Sequence, residues 1–463
     1  IDEAHNIKKA DGGNTRALPI LKLIIKYANN IKLVLMTATP MYNKSNEIVE
    51  LINLLLLNDR RKLIKKSDVF QNDKLTPEGE KILIENSKGY ISFLRGEKYP
   101  MFPYRIYPQK FFIPKPQYTI FNEKITTPIK FLKLYESKMS TEHFKFYMDN
   151  LNIMLKNNSS NNNSNNNSNN RSYKNEILNN NNTDMKSLSI QSQHKLLQIL
   201  NIYYPYNKNE FTFGKNAFSK KKGVGSFLEI EKSNSFTKKK TQYFKYQDLV
   251  IENKGTVKEK PFLHIDLIEK YSPKIKHILD NIFNSKGIIF VYSDYLYSGI
   301  IPLALALEQN GYQRFKLESE TNLLDYNENE KGGGGKISSR CIHCNGLASN
   351  NIHDIKHKNF NHKFKQGKYI LLSGSADVSR IDAGSLTKII NNHRNSEGEI
   401  VKVLLATSKA KEGLDLKKIR QINIMEPWYN LSRLDQIIGR GIRHKSHCGL
   451  DETQRNVELY LLC

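Results

Sequence analysis

Four residues near the start of the 463-residue chain can do chemistry together: Asp2-Glu3-Ala4-His5. Adjacent carboxylates can divide two jobs, one holding Mg²⁺ on the phosphates of a nucleotide, the other polarising an attacking water. Taken alone, the tetrad equally fits an exposed acidic turn. Further on, Thr37-Ala38-Thr39-Pro40 follows the apolar run Ile31–Met36. If both segments end neighbouring parallel strands, their carboxyl ends share one edge of a sheet, where ligands bind. The hydroxyls of Thr37 and Thr39 are then expected to hydrogen-bond the acidic pair; a Thr-Pro turn without a role is the alternative.

Two further segments carry polar groups suited to phosphate. Gln436-Ile-Ile-Gly439-Arg440-Gly441-Ile-Arg443 places two arginines three apart, expected on one face of a helix. Gly439 and Gly441 would allow close backbone approach, and guanidinium forks suit a phosphoryl group gathering charge in a transition state. In isolation the same string fits a basic helix end. Thr407 to Asp415 (TSKAKEGLD) leaves an apolar run with two hydroxyls, Thr407 and Ser408, then Gly413 and Asp415, a set suited to phosphate contact or to an ordinary polar loop.

A third grouping has metal-ligand character. Cys341-Ile-His-Cys344 is followed by twelve residues, His357, four residues and His362, the two-Cys two-His spacing of a zinc site. His343 and His353 are alternates. The surrounding segment is polar, so a metal would help hold it together; a flexible His-rich loop is the alternative. The core aromatic and leucine pattern of a DNA-reading finger is not evident.

Composition narrows the classes. Hydrophobic residues make up 39% and charged residues 25% of the chain, and no run of about 18 apolar residues occurs, so no transmembrane helix is expected. Lys+Arg number 71 against 46 Asp+Glu, a formal charge of +25, which suits a polyanionic partner, most simply nucleic acid. Four cysteines exclude a disulfide scaffold and point to a reducing compartment.

The elements that must position these residues read as α/β. Residues 1–58 alternate helix (Arg16 to Ala28, with Leu18, Leu21, Ile24, Ile25 and Ala28 on one face), a buried strand (Ile31–Met36) and helix (Glu47–Leu57). Residues 59–156 form an accessory region in which Tyr99–Pro116 is extended by its prolines. Residues 157–185 are an Asn-rich tract read as disordered, and 186–262 are a basic accessory region with Lys220–Lys222 and Lys238–Lys240, read as a solvated insertion or a nucleic-acid-facing surface. Residues 263–463 form a second parallel α/β domain: a helix capped by Ser272-Pro273, a buried strand at Gly287–Tyr292, a helix at Ile300–Asn310, and strands at Tyr369–Ser373, Val401–Ala406 and Gln421–Met425. The Cys/His-bearing insertion at 318–368 interrupts it.

In order and placement, IDEAH, TATP, ATSKAKEGLDL and EPWYNLSRLDQIIGRGIRH resemble motifs II, III, V and VI of superfamily 2 helicases. Trp428-Tyr429-Asn430 before Gln436, with Arg443-His444 and Ser446-His447 after it, resembles more narrowly the Swi/Snf-related helicases of large cytoplasmic DNA viruses, among them the poxvirus nucleoside triphosphatase and early transcription factor small subunit. The resemblance covers roughly residues 1–58 and 265–463. It implies tandem RecA-like parallel-sheet domains, the first truncated, with large partly disordered insertions. It also implies an NTP-dependent helicase or translocase using ATP and Mg²⁺, with zinc a separate question. The partners implied are nucleic acid, RNA or DNA, and RNA polymerase or a transcription complex, without a membrane. The place implied is the host cytoplasm, in a viral factory, or the virion. Two alternatives remain: a double-strand translocase that does not unwind, and a non-enzymatic fragment that binds nucleic acid or polymerase.

By residue, the resemblance assigns Mg²⁺ to Asp2, the catalytic base to Glu3, and γ-phosphate sensing or domain coupling to His5. Thr37 and Thr39 link hydrolysis to movement. Gln436, Arg440 and Arg443 reach the phosphates, with Arg443 or Arg440 as arginine finger. Gly413 and Asp415 lie by the nucleotide, Thr407 and Ser408 by the nucleic-acid backbone. The family's phosphate-binding P-loop is not found: Gly332-Gly333-Gly334-Gly335-Lys336 lies in a polar insertion with no preceding strand. With Ile1 in place of a Met, the chain reads as the C-terminal part of a longer protein, and residues 1–463 alone are expected to show no appreciable ATPase.

Overall fold

Short β-branched runs separated by helices specify an α/β chain, and the computed structural model has that character. It describes residues 1–7, 17–41, 44–93, 101–109, 117–118, 124–126, 133–161, 189–207, 210–218, 228–234, 240–246, 261–315, 322–324, 338–348, 362–376, 378–379, 381–408, 413–428 and 431–463. These fall into two compact units, residues 1–97 with 428–436 and residues 98–427 with 437–463. Among the described residues no helix is long and apolar enough to cross a membrane.

In the smaller unit α1 (Ala17–Tyr27) and α2 (Glu47–Asn58) follow the helical spacing. Leu18 and Ile25 of α1 are buried with Leu54 of α2. Ile24 is exposed instead, because it lies a helical step of about 100° from Ile25 and falls off the stripe that Leu18 and Ile25 define. The expectation of a buried strand at Ile31–Met36 is corrected. This run is extended and bonded to the chain start through the Ile1 amino group to Val34 O, Met36 N to Ile1 O and Ala4 N to Met36 O. Its side chains alternate, however: Leu33 and Leu35 pack on the α1–α2 cluster, while Val34 and Met36 are exposed. A fully buried strand needs cover on both faces, and here only one is covered. Ile64 and Val69 add to α2 through Val49, Ile52 and Leu56, which continues this unit past residue 58.

The larger unit is built on seven strands: β1 (Tyr104–Ile106), β2 (Ile288–Tyr292), β3 (Gln313–Arg314), β4 (Lys368–Leu372), β5 (Val403–Ala406), β6 (Ile419–Ile424) and β7 (Asn456–Leu461). Their order is β1-β7-β6-β2-β5-β4-β3, and every neighbouring pair is parallel. Ala406 and Ile424 both pair with Tyr292, so β2, β5 and β6 end level. The order reverses at β2, with β5, β4, β3 on one side and β6, β7 on the other, which makes its carboxyl end the switch point where ligands bind in such sheets. All of β2 is buried; Ile288, Ile289, Phe290 and Val291 each contribute roughly 1.5–3 kcal/mol by leaving water.

Helices complete this unit. α3 (Thr141–Asn161) packs Tyr147, Leu151 and Leu155 against Leu196 and Ile199 of α4 (Ile190–Asn201). The disorder expected from residue 157 is corrected for 157–161, which close α3: a helix nucleated by packing upstream propagates cheaply into its polar end. The rest of that tract, the lysines 220–222 and 238–239, the glycines 332–335, and His353 and His357 lie outside the described residues. α5 (Pro273–Asn284) begins as expected, Ser272 Oγ accepting from Ile275 N at 3.1 Å with Pro at the first turn. α6 (Ile301–Gln309) is buried throughout and ends before Gly311, whose φ is +94°. α7 (Ala383–Ile390) is capped by Asp382; α8 (Leu431–Gly441), which carries the Gln436–Arg440 string, has its residues 431–436 in the smaller unit and 437–441 in the larger.

His447, after α8, is buried; its Nε2 donates to Ile419 O at 2.6 Å and its Nδ1 lies 2.8 Å from Ser446 Oγ. Burial pushes its pKa down to about 4, partly opposed by the Ile419 carbonyl. A folded value below the unfolded one means that stability is full above about pH 6.5 and falls as pH drops toward 4, by about 2 kcal/mol at pH 5. Glu308 and Glu426, raised to about 7, act oppositely but are common to both proteins of a comparison. The stability deficit of His447→Gln, measured by urea unfolding, should therefore shrink by about 2 kcal/mol between pH 7 and pH 5; a constant deficit would contradict the neutral buried imidazole.

Candidate functional site

The acidic tetrad turns sharply. Ala4–Asn6 form one 3₁₀ turn, and Glu3 before it has φ +48°, uncommon for a residue with a Cβ and a form of strain that clusters at functional sites. Asp2 Oδ1 accepts from Glu3 N at 2.9 Å. The turn leaves both carboxylates exposed and buries His5. His5 Nδ1 lies 2.8 Å from Thr37 Oγ1, 3.4 Å from Thr39 Oγ1 and 3.3 Å from Glu3 Oε2. The threonine hydroxyls thus reach the acidic turn through the imidazole. Within the same compact unit Gln436 Nε2 donates to Thr39 Oγ1 at 3.1 Å, and Arg433 stacks over Trp428 at 4.5 Å. Exposed, adjacent carboxylate oxygens are the hard donors that suit Mg²⁺, an ion that keeps several of its waters.

At the carboxyl edge of the larger unit Thr407 follows β5, is buried, and donates its N–H to Leu372 O at 3.1 Å; Ser408 is exposed. Residues 409–412 lie outside the described set. Gly413 resumes the chain at φ +75° and Asp415 is exposed, 3.5 Å from Arg443 Nη1. The expectation that Arg440 and Arg443 share a helix face is corrected. α8 stops at Gly441, where the backbone closes on β6: a Cβ there would sit 3.1 Å from Ile422. Arg443 lies beyond the end and turns back, its Nε donating to Gly439 O at 2.9 Å, so it satisfies a terminal carbonyl. Close approach holds for Gly441 and not for Gly439, around which a Cβ would meet nothing within 4 Å.

Glu426, which the sequence reading did not single out, dominates this edge. It follows β6 and is buried. Ser293 Oγ donates to it at 2.6 Å, Asp294 N at 3.0 Å, and Asn201 Nδ2 as well. Buried Lys274 donates to Asn201 Oδ1 at 3.2 Å and Met425 O at 2.8 Å. Burial pushes Glu426 up to about 7 and Lys274 down, each partly opposed by the other's charge. The available signal was an acid placed directly after an apolar strand in Ile424-Met425-Glu426.

Cys341, Cys344 and His362 come together, with their ligand atoms within 4.8 Å of one another. Cys341 Sγ and His362 Nε2 are 3.6 Å apart. His343 is exposed, its ring 5.2 Å from that of His362.

Residues 348–445 match the helicase conserved C-terminal domain, a stretch that carries strands β4, β5 and β6 of the parallel sheet. More particularly, the chain is similar to helicases of large DNA viruses. It is 24% identical, over 97% of its length, to an Acanthamoeba polyphaga mimivirus protein named as an ATP-dependent RNA helicase, covering 36% of that protein. A second mimivirus protein named in the same way is 26% identical over 100% of the chain, which covers 59% of it. The termination factor NPH-I homolog of African swine fever virus is 30% identical over 42% of the chain and 26% of its own length. The chain thus spans between about a third and three-fifths of the two mimivirus proteins.

The Glu426 cluster sets an expectation for stability. Glu426→Ala leaves Lys274 without its carboxylate partner and should cost about 3–5 kcal/mol, whereas Glu426→Gln, which keeps the shape and an acceptor, should cost distinctly less. Urea unfolding of both variants measures the difference; equal costs would show that volume rather than charge pairing matters.

Proposed function

We propose that the whole protein is an NTP-dependent helicase or translocase that uses ATP, acts on nucleic acid and works in viral transcription. The observation that carries this reading is the contact of His5 with Thr37 and Thr39. It joins the acidic turn to the next segment's exit, and Gln436 continues the polar chain from Thr39. Such a chain can transmit a change at a nucleotide phosphate to backbone that moves. The likeness to proteins named as ATP-dependent RNA helicases and to a termination factor supports the same reading.

In this reading Asp2 would hold Mg²⁺, which neutralises phosphate charge when bound, and Glu3 accepts the proton of the attacking water. Gln436, Arg440 and Arg443 contact phosphate; Gly413 and Asp415 lie by the nucleotide, Thr407 and Ser408 by the nucleic-acid backbone. The +25 charge supports a polyanionic partner. RNA polymerase or a transcription complex is the proposed protein partner, and the host cytoplasm, at the viral factory, or the virion is the proposed setting.

Arginine truncation in the whole protein tests this. As a finger acting on transition-state charge, Arg443 or Arg440 should, on change to Ala, lower kcat by roughly 10³–10⁵ while leaving nucleic-acid affinity nearly intact. Arg443→Ala also removes the cap on Gly439, so its melting temperature is measured beside turnover, and a fall in kcat without a fall in Tm assigns the loss to chemistry. Unchanged kcat in both variants would overturn the reading. Strand displacement on defined duplexes supports unwinding; nucleic-acid-stimulated turnover with motion but no displacement supports the double-strand translocase. Residues 1–463 alone should show no appreciable turnover, since the sequence carries no G-x-x-x-x-G-K-[ST] string to cradle the phosphates; stimulated turnover by this chain would disprove that.

A further inference from the structure

The Cys/His insertion is rooted at the edge of the sheet opposite the phosphate motifs. Gly367 directly precedes β4, and Lys402 directly precedes β5. Buried Lys402 donates to Ile342 O at 3.0 Å and to Ser285 O, just ahead of β2, at 2.7 Å. Arg340 donates to Asn310 O at 2.6 Å and Asn345 O at 2.8 Å, and lies over the Phe283 ring at 4.3 Å. Between these anchors the chain makes a tight knuckle: Cys341 N bonds Gly346 O, Asn345 N bonds Cys341 O, and Asn345 takes φ +58°. Gly346 N then donates to Cys344 Sγ at 3.4 Å. The returning segment lies alongside, with Ile342 N bonded to Lys365 O and Cys341 bridged to Gln366.

We propose that Cys341, Cys344 and His362 hold a structural Zn²⁺ that clips the Cys341–Cys344 knuckle to the segment returning to β4, at the amino edge of the sheet. The distances suit it. Zinc bonds of about 2.3 Å to sulfur and about 2.0–2.1 Å to nitrogen, at a tetrahedral angle, put the two ligand atoms about 3.6 Å apart. Cys341 Sγ and His362 Nε2 stand at 3.6 Å, and Cys344 Sγ falls within the same 4.8 Å set. Two thiolates and an imidazole are the donor set that zinc prefers over harder cations. The three leave one tetrahedral position, which a further side chain or a water fills. The clip spans 21 positions of chain, so it removes loop freedom that the polar insertion cannot offset by burial. The metal's work is therefore structural, remote from the carboxyl edge.

The test is metal analysis of the chain purified without chelator. The expected result is about one zinc per chain, falling to near zero in Cys344→Ser and in His362→Ala and unchanged in Cys448→Ser, an exposed cysteine away from the knuckle. Because a ligand variant can fail to fold, the wild-type chain is also stripped and titrated with Co²⁺. Thiolate-to-cobalt charge-transfer bands with tetrahedral d–d bands support the site. Absence of both zinc and cobalt bands in the wild type overturns the proposal, as does full metal retention by Cys344→Ser. The remaining possibility, a plain S–H···N hydrogen bond between Cys341 and His362, predicts that negative result.

Discussion

Three parallel strands of the larger unit end level, and at that edge backbone N–H groups and short polar side chains meet an apolar core. Glu426 resolves the conflict by accepting from Asp294 N, Ser293 Oγ and Asn201 Nδ2 at once. A carboxylate cannot sit there unaided, because the cost of taking it out of water is several kcal/mol, and Lys274 supplies the opposing charge. The neighbours follow from this. Lys274 needs Asn201 Oδ1 and Met425 O; Asn201 is held in turn by Ser272, which donates to its carbonyl while capping α5. Gly299 must be Gly, since a Cβ would lie 2.0 Å from Ser293 Oγ. One buried acid thus ties the ends of β2 and β6 to α4 and α5, and keeps the carboxyl edge in register for whatever lies on it.

The smaller unit gathers its polar groups by a different device. Its polar groups are few and partly exposed, and His5 gathers them, with two threonine hydroxyls and Glu3 around one ring nitrogen. A change in the position of Glu3 alters the company of Nδ1, and the threonines that share it sit on the segment leading to Pro40. The left-handed backbone at Glu3 is the uncommon conformation that fixes this turn.

How much was legible in the sequence follows from how each element is stabilised. β2, β4 and β5 are continuous apolar runs, and burial on both faces makes such runs unambiguous. The Ser272-Pro273 start was readable because a cap and a first-turn proline are local chemistry. β7 was not readable: Asn456, Glu458 and Tyr460 alternate with buried Val457, Leu459 and Leu461, a pattern of half-covered strand that long-range pairing alone selects. Arg443 was misplaced because helical spacing was carried past Gly441, where tertiary packing on Ile422 ends the helix. Ile31–Met36 has the composition of a buried strand, but burial depends on neighbours that composition does not encode. At the candidate site the residue types were legible while their partners were not: the threonines were matched to carboxylates, and the imidazole between them is a matter of three-dimensional placement.

The two edges of the sheet also divide the labour of the insertion and the site. Buried charges at the amino edge are bonded to backbone of the insertion: Lys402 to Ile342, and Glu308 to Leu323 and Leu324. Removing the insertion would therefore strip Lys402 and Glu308 of these bonds and leave them to Ser285 O and the Tyr369 hydroxyl, at a cost of a few kcal/mol. Such a segment is a structural part of the domain despite its polar composition. It follows the end of β3 and returns at the start of β4, on one side of the sheet, whereas Thr407 and Asp415 follow β5 and Glu426 follows β6.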